Sequence, residues 1–167
     1  MPATPPSHAA GHTLTTTVED HRIAWLAALA ITIHLAESAL PSPLPGVKPG
    51  LANIVTIATL LLYGWRTAAW VVSLRVIVGS LLLGTFLSPT FALSFSGALA
   101  SLTALGLASL VVRSGLGPVG YSLLAAMAHM AGQFAVAYWL FIPHPALLRL
   151  FPLLMSAAVL FGLLSGI

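Results

Sequence analysis

An all-α integral membrane protein, a bundle of about six transmembrane helices, is the fold class that this sequence predicts, on three observations. Charged residues make up 5% of the 167 positions against 59% hydrophobic ones, whereas a soluble domain carries about a quarter charged residues. The mean hydropathy is +1.03. Apolar runs, most of them close to the roughly 20 residues that cross a bilayer as a helix, alternate with Pro/Gly breaks along the chain. Six Lys/Arg, three Asp/Glu and six His cannot clothe a water-facing surface of this size, so the lipid bilayer is the solvent for most of the chain.

The elements follow in order. Residues 1–20, MPATPPSHAAGHTLTTTVED, are rich in Pro, Thr and His without apolar periodicity and read as a disordered cytoplasmic tail. They lack the basic start and apolar centre of a signal peptide. His8 and His12 read as part of that tail and not as a metal site. The six-helix domain is expected over 21–167. Its first span is Arg22–Leu40, ended by PSPLPGVKPG, through which no helix can run. The second, Gly50–Tyr63, is short, with Pro49 suited to its first turn. Gly64, Trp65 and Arg66 turn the chain into a third span, Thr67–Leu87, broken by Ser88-Pro89. The fourth runs over Phe91–Val112 and the fifth over Val119–Phe141, with RSGLGP between them. Pro143-His-Pro145 precedes the sixth, Ala146–Gly166.

With the N-terminus inside, Arg22, Arg66 and Arg113 lie on the cytoplasmic side and Lys48 and Arg149 outside, in the positive-inside sense. Trp25, Trp65 and Trp70 then fall near the inner interface and Trp139 near the outer one, as aromatic belts do. Both ends of the chain are expected to be cytoplasmic.

Several function classes drop out on composition. The pI is about 10.0, but the cations are scattered singly, so nothing suggests nucleic-acid binding. Cysteine is absent, which excludes disulfides and thiolate chemistry. The one His pair four apart, His8 and His12, falls in the expected tail, and neither a metal nor a cofactor is expected.

Binding residues are easier to find. Pro and Gly between Glu37 and Asn53 shape a loop that delivers Lys48 to the start of the second span. A helix N-terminus carries about half a positive charge and free N–H donors, and Lys48 adds a full charge, so the two together would hold an anion near the outer surface. Asn53, Thr56 and Thr59 put a polar stripe on one face of the same helix. The alternative is that Lys48 snorkels to lipid phosphates while the stripe packs helices. Arg75, inside the third span, is the strongest single residue, because a charge at that depth needs a partner or a wet cavity. Its partner is either Glu37, the one acid inside a span, or an anionic ligand in the bundle; Gly79, one turn on, leaves room beside it. His129 and Gln133 make a small polar face on the fifth span, with Ala125, Ala126 and Gly132 around it. His34 and Glu37, three apart on the first span, form a similar pair. Small residues at Ala24 and Ala28 on the first span, and Ser94, Gly97, Ser101, Ala104 and Ala108 on the fourth, permit close helix approach.

The run PGVKPGLANIVTIATLLLYGWRTAAWVVSLRVIVGSLLLGTF resembles a bacterial membrane family that goes by two names, heptaprenyl diphosphate synthase component I and Gx transporter family. The likeness is strongest from Glu37 through the fourth span, and its most specific parts are PGVKxGLANIVT and LRVxxGSLLxG. Pro49 departs from the pattern, where an aliphatic residue is expected. The family is similar in turn to the substrate-binding (S) components of energy-coupling-factor transporters. That likeness implies six helices in the bacterial cytoplasmic membrane and a pocket near the outer surface gated by the loop between helices one and two. It also implies that Ala24 and Ala28 face a transmembrane coupling subunit served by a pair of ATPases.

The enzyme name can be weighed on the residues. Prenyl transfer holds a diphosphate through Mg²⁺ on several carboxylates, whereas this chain has Glu19, Asp20 and Glu37 in total and no Asp-rich motif or P-loop. The expected function is therefore S-component-like binding and transport of a small anionic or amphipathic molecule, vitamin-like or an isoprenoid or quinone precursor. The rival is a non-catalytic accessory subunit of a membrane complex in quinone or isoprenoid synthesis or in flavin-linked electron transfer. Ligand contacts are expected from Glu37, Lys48, Asn53, Thr56, Arg75, His129 and Gln133.

Overall fold

The computed structural model describes residues 16–40, 51–111 and 116–167. The expected tail up to residue 15, the loop of residues 41–50 with Lys48, and residues 112–115 lie outside the described residues. What is described is helical: α1 Val18–Ala39, α2 Leu51–Tyr63, α3 Trp65–Leu82, α4 Pro89–Val111, α5 Pro118–Val136, α6 Pro145–Leu148 and α7 Phe151–Gly166, with one π-helical turn, Ala137–Phe141, continuing α5. Among the described residues, five helical stretches are long and apolar enough to cross a membrane, while the apolar α2 is shorter. The protein is an all-α, multi-pass membrane bundle.

Four boundaries differ from the sequence expectation, each for a local reason. Helix α1 starts at Val18, inside the expected tail. Thr17 caps it, its hydroxyl accepting from the Asp20 N–H at 3.2 Å, while the Asp20 carboxylate accepts from the Thr17 N–H at 2.8 Å. This reciprocal pair satisfies two end groups that the first turn leaves open. Helix α3 stops at Leu82, five residues before the expected end. The Thr85 N–H reaches back to the Ser80 carbonyl at 2.9 Å and the Gly84 N–H to that of Leu81 at 3.2 Å. Gly84 sits at φ +66°, so this is a Schellman stop, which glycine adopts without the strain of a Cβ. Leu87, at φ +61°, completes the turn at some conformational cost. The expected fifth span ends in a π turn closed by the Ile142 N–H on the Ala137 carbonyl at 2.8 Å. The expected sixth span is two helices, parted at Arg149 and Leu150. Pro152 causes the break, since its ring crowds the carbonyl four residues back and it has no N–H to give.

Helix α2 lies at the centre of the bundle, touching α1, α3, α5 and α7, while α3 packs on α1 and α4, and α5 on α4 and α7. Small residues make this possible. Ala27, Ala30, Ala68, Gly97, Ala98, Ser101, Ala108, Ser122, Ala125, Ala158 and Gly162 are all buried, whereas Trp25 and Trp139 are 77% and 80% exposed. That inversion suits a bilayer, where helices gain nothing by hiding apolar groups from lipid and associate through close backbone packing instead. Two larger clusters fill the gaps, Ile57, Leu60 and Leu105 against Tyr121, and Val55 against Val71.

The two ends of the bundle differ. At one, Arg22 lies over the Tyr63 ring, 4.5 Å from its centroid, and the Trp65 indole donates to the Leu102 carbonyl at 3.0 Å. At the other, the end of α1 meets the start of α2.

Candidate ligand cavity

Between the helices lies a cavity of about 460 Å³, walled by α1, α2, α3, α4, α5 and α7. This volume suits a small molecule. Its polar wall comes from residues that the helical repeat aims inward: His34, Glu37 and Ser38 on α1, Asn53 on α2, Arg75 and Ser80 on α3, His129 and Gln133 on α5. The rest is largely apolar, with Leu83, Phe91, Leu93, Met130 and Phe161 among the contributors.

Arg75 stands about 15 Å from the start of α3 and about 10 Å from its end, at 1.5 Å per residue. It lines the cavity, and no hydrogen bond or ion pair joins its guanidinium to another described residue. Glu37 is near enough to feel its charge, as is His129. The Glu37 carboxylate is engaged elsewhere. It is buried in the last turn of α1 and accepts the Leu51 N–H, the first of α2, at 2.5 Å. A carboxylate at that position satisfies an open donor and complements the helix dipole. The anion at this helix N-terminus is thus supplied by the protein's own α1.

His129 and Gln133 form a unit. One turn apart on α5, they share a 3.1 Å hydrogen bond between Nε2 atoms, and both lean on Gly97 of α4, where an added Cβ would lie 2.8 Å from the imidazole and from Gln133 Cγ. His34 uses Gly79 of α3 similarly, 3.0 Å from where a Cβ would be. Each glycine makes room for a histidine at the cavity wall.

Of the residues expected from sequence, Glu37, Asn53, Arg75, His129 and Gln133 share this wall. Thr56 is buried one turn beyond Asn53 and is not among the wall residues, and the Thr59 hydroxyl donates to the Val55 carbonyl at 2.6 Å within the helix. Lys48 lies outside the described residues. Ala24 and Ala28 sit on an exposed face of α1 with Trp25 and Leu29. The α7 side of the cavity, Ala158, Phe161, Gly162 and Ser165, gave no sequence signal, being apolar or small within an apolar span. Ser165 bonds Ser122 of α5 at 2.8 Å, tying that side shut.

Residues 26–167 match the family described as heptaprenyl diphosphate synthase component I. No curated protein and no solved structure matches the chain.

Proposed function

Because this chain belongs to the heptaprenyl diphosphate synthase component I family, we propose that it serves as a non-catalytic membrane subunit that binds a small anionic or amphipathic molecule inside its helix bundle. The observation that carries this reading is Arg75, a guanidinium without a hydrogen-bond partner among the described residues, lining a largely apolar cavity with one polar wall. Charge at membrane depth is tolerated against protein, water or ligand, and an anion there would give the guanidinium its partner. The apolar wall formed by Leu83, Phe91, Leu93 and Phe161 offers an aliphatic or isoprenoid tail a surface of its own kind.

Three carboxylates in the whole chain, one of them holding α2, leave nothing to assemble a Mg²⁺–diphosphate centre. Catalysis, where it occurs, belongs to a partner. The family's description as a synthase component favours a subunit that presents its molecule to such a partner. The exposed small-residue face at Ala24 and Ala28 suits the other version, an S-component-like subunit docked on a transmembrane coupling subunit with its ATPases. We place the protein in the bacterial cytoplasmic membrane, with the N-terminus inside and the cavity nearer the outer surface. In this reading Lys48, between α1 and α2 in the sequence, would add a second cation for an anionic head group.

The test is purification in mild detergent followed by mass spectrometry of everything retained. A small anionic amphipath that Arg75→Leu releases supports the proposal. A prenyl-synthase chain alongside points to the accessory version, an ATPase pair to the transport version. A wild-type preparation without any retained small molecule, and with no response to added ones, would sink it.

A further inference from the structure

Resting on the binding reading above, we infer that the cavity selects a singly charged, carboxylate-headed amphipath and disfavours a diphosphate. Charge balance carries this inference. The described wall contains one permanent cation, Arg75, and one carboxylate, Glu37. Glu37 is bonded to the first N–H of α2, whose N-terminus contributes about +0.5. The sum over the described wall is near +0.5. One negative charge neutralises such a site. A phosphate monoester already carries about −1.5 to −2 at neutral pH, and a diphosphate carries more, facing the fixed Glu37 carboxylate in a low-dielectric bundle.

Geometry agrees with charge. The free group is a planar fork of N–H donors, which meets a carboxylate through two parallel bonds. On the same wall stand Gln133 and His129, their Nε2 atoms 3.1 Å apart, and the apolar wall beyond leaves the tail in hydrocarbon-like surroundings. Phosphate chains are instead held by several cations, by a glycine-rich nest of N–H groups or by carboxylate-bound Mg²⁺. Among the described residues the cavity wall offers a single Arg or Lys and a single Asp or Glu.

The experiment uses the full chain in lipid nanodiscs and a panel sharing one ten-carbon tail: geranic acid, geranyl diphosphate and geraniol. Binding is read from the unfolding midpoint by tryptophan fluorescence and by competition. Geranic acid is expected to bind at least tenfold more tightly than either of the others. Arg75→Gln should bring the acid down to the level of the alcohol. Arg75→Lys, which keeps the charge and loses the fork, should fall between them, and it serves as the folded comparison should Arg75→Gln express poorly. Diphosphate binding tightest overturns this inference and leaves the binding reading standing. Equal affinity for acid and alcohol in the wild type overturns the role of Arg75 as head-group anchor. A panel without any binding member overturns both.

Discussion

His129 of α5 rests on Gly97 of α4 so closely that a methyl group added at Gly97 would lie 2.8 Å from its Cε1 and Nε2. That contact sets the position of the polar face that His129 and Gln133 present to the cavity, because the imidazole is held between its own helix and a bare stretch of backbone. Gly97→Ala should therefore push the ring into the cavity or part α4 from α5. Overpacking of this kind costs about 1–3 kcal/mol, read as a lower unfolding midpoint together with weaker ligand retention. Gly117→Ala, where nothing lies within 4 Å and φ is −76°, should change neither.

Arg75→Met should separate binding from stability. With no hydrogen bond from the guanidinium to a described residue, removing it gives up chiefly its attraction to Glu37, while a charge that costs at least about 2.5–3.5 kcal/mol to place at mid-membrane disappears. The ligand-free variant is expected to be as thermally stable as the wild type or more so, while ligand retention is lost. A marked fall in stability would mean that Arg75 holds the helices together.

Glu37→Ala should act on α2. Losing a charge-assisted bond to the Leu51 N–H costs about 1.5–3 kcal/mol, and the loss should appear as faster hydrogen exchange in the first turn of α2 and a lower midpoint. Glu37→Gln, which still offers a carbonyl oxygen to the same N–H, should lose less. Rescue of a destabilised Arg75→Leu by Glu37→Gln would identify the two charges as an ion pair instead.

Lys48→Ala removes one charge from the loop that joins α1 to α2. Binding of an anionic ligand should weaken by about 1–3 kcal/mol, and added salt should weaken it further where the site is wet. Titration in nanodiscs at two ionic strengths checks this.

Topology is checked by cysteine labelling at positions 45 and 116. With the N-terminus inside, position 45 should label from outside and position 116 should be protected. The reverse pattern would invert the orientation and, with it, the side from which the cavity is reached.

Much of the cavity wall was legible before any coordinates. Polar groups inside apolar spans are costly, so Glu37, Asn53, Arg75, His129 and Gln133 stood out, and the helical repeat put them on inward faces. What was illegible depended on distance across the bundle. That Glu37 accepts from Leu51, 14 positions on, follows from how the intervening loop brings two helix ends together, and no local pattern encodes it. The α7 wall escaped notice because alanine, glycine and phenylalanine look the same whether they face lipid or a ligand. Gly84 was readable as a helix stop, but the apolar residues on both sides of it hid the signal. Pro152 was hidden in the same way inside the last span.

The short central helix has a kinetic consequence. At 13 residues, α2 rises about 20 Å, whereas the hydrocarbon layer is about 30 Å thick. Were its far end, beside Tyr63 and the turn into α3, to lie at one membrane surface, its first residue would stop roughly 10 Å short of the other. A cavity reached past the start of α2 would then be entered from within the acyl chains of one leaflet, below the headgroups. An amphipath already dissolved in that leaflet arrives by lateral diffusion in two dimensions, and its encounter frequency follows its mole fraction in lipid, with its concentration in water entering only through partitioning. Apparent dissociation constants for such ligands should scale with the lipid-to-protein ratio, and exchange should be faster between subunits sharing one membrane than between separate vesicles.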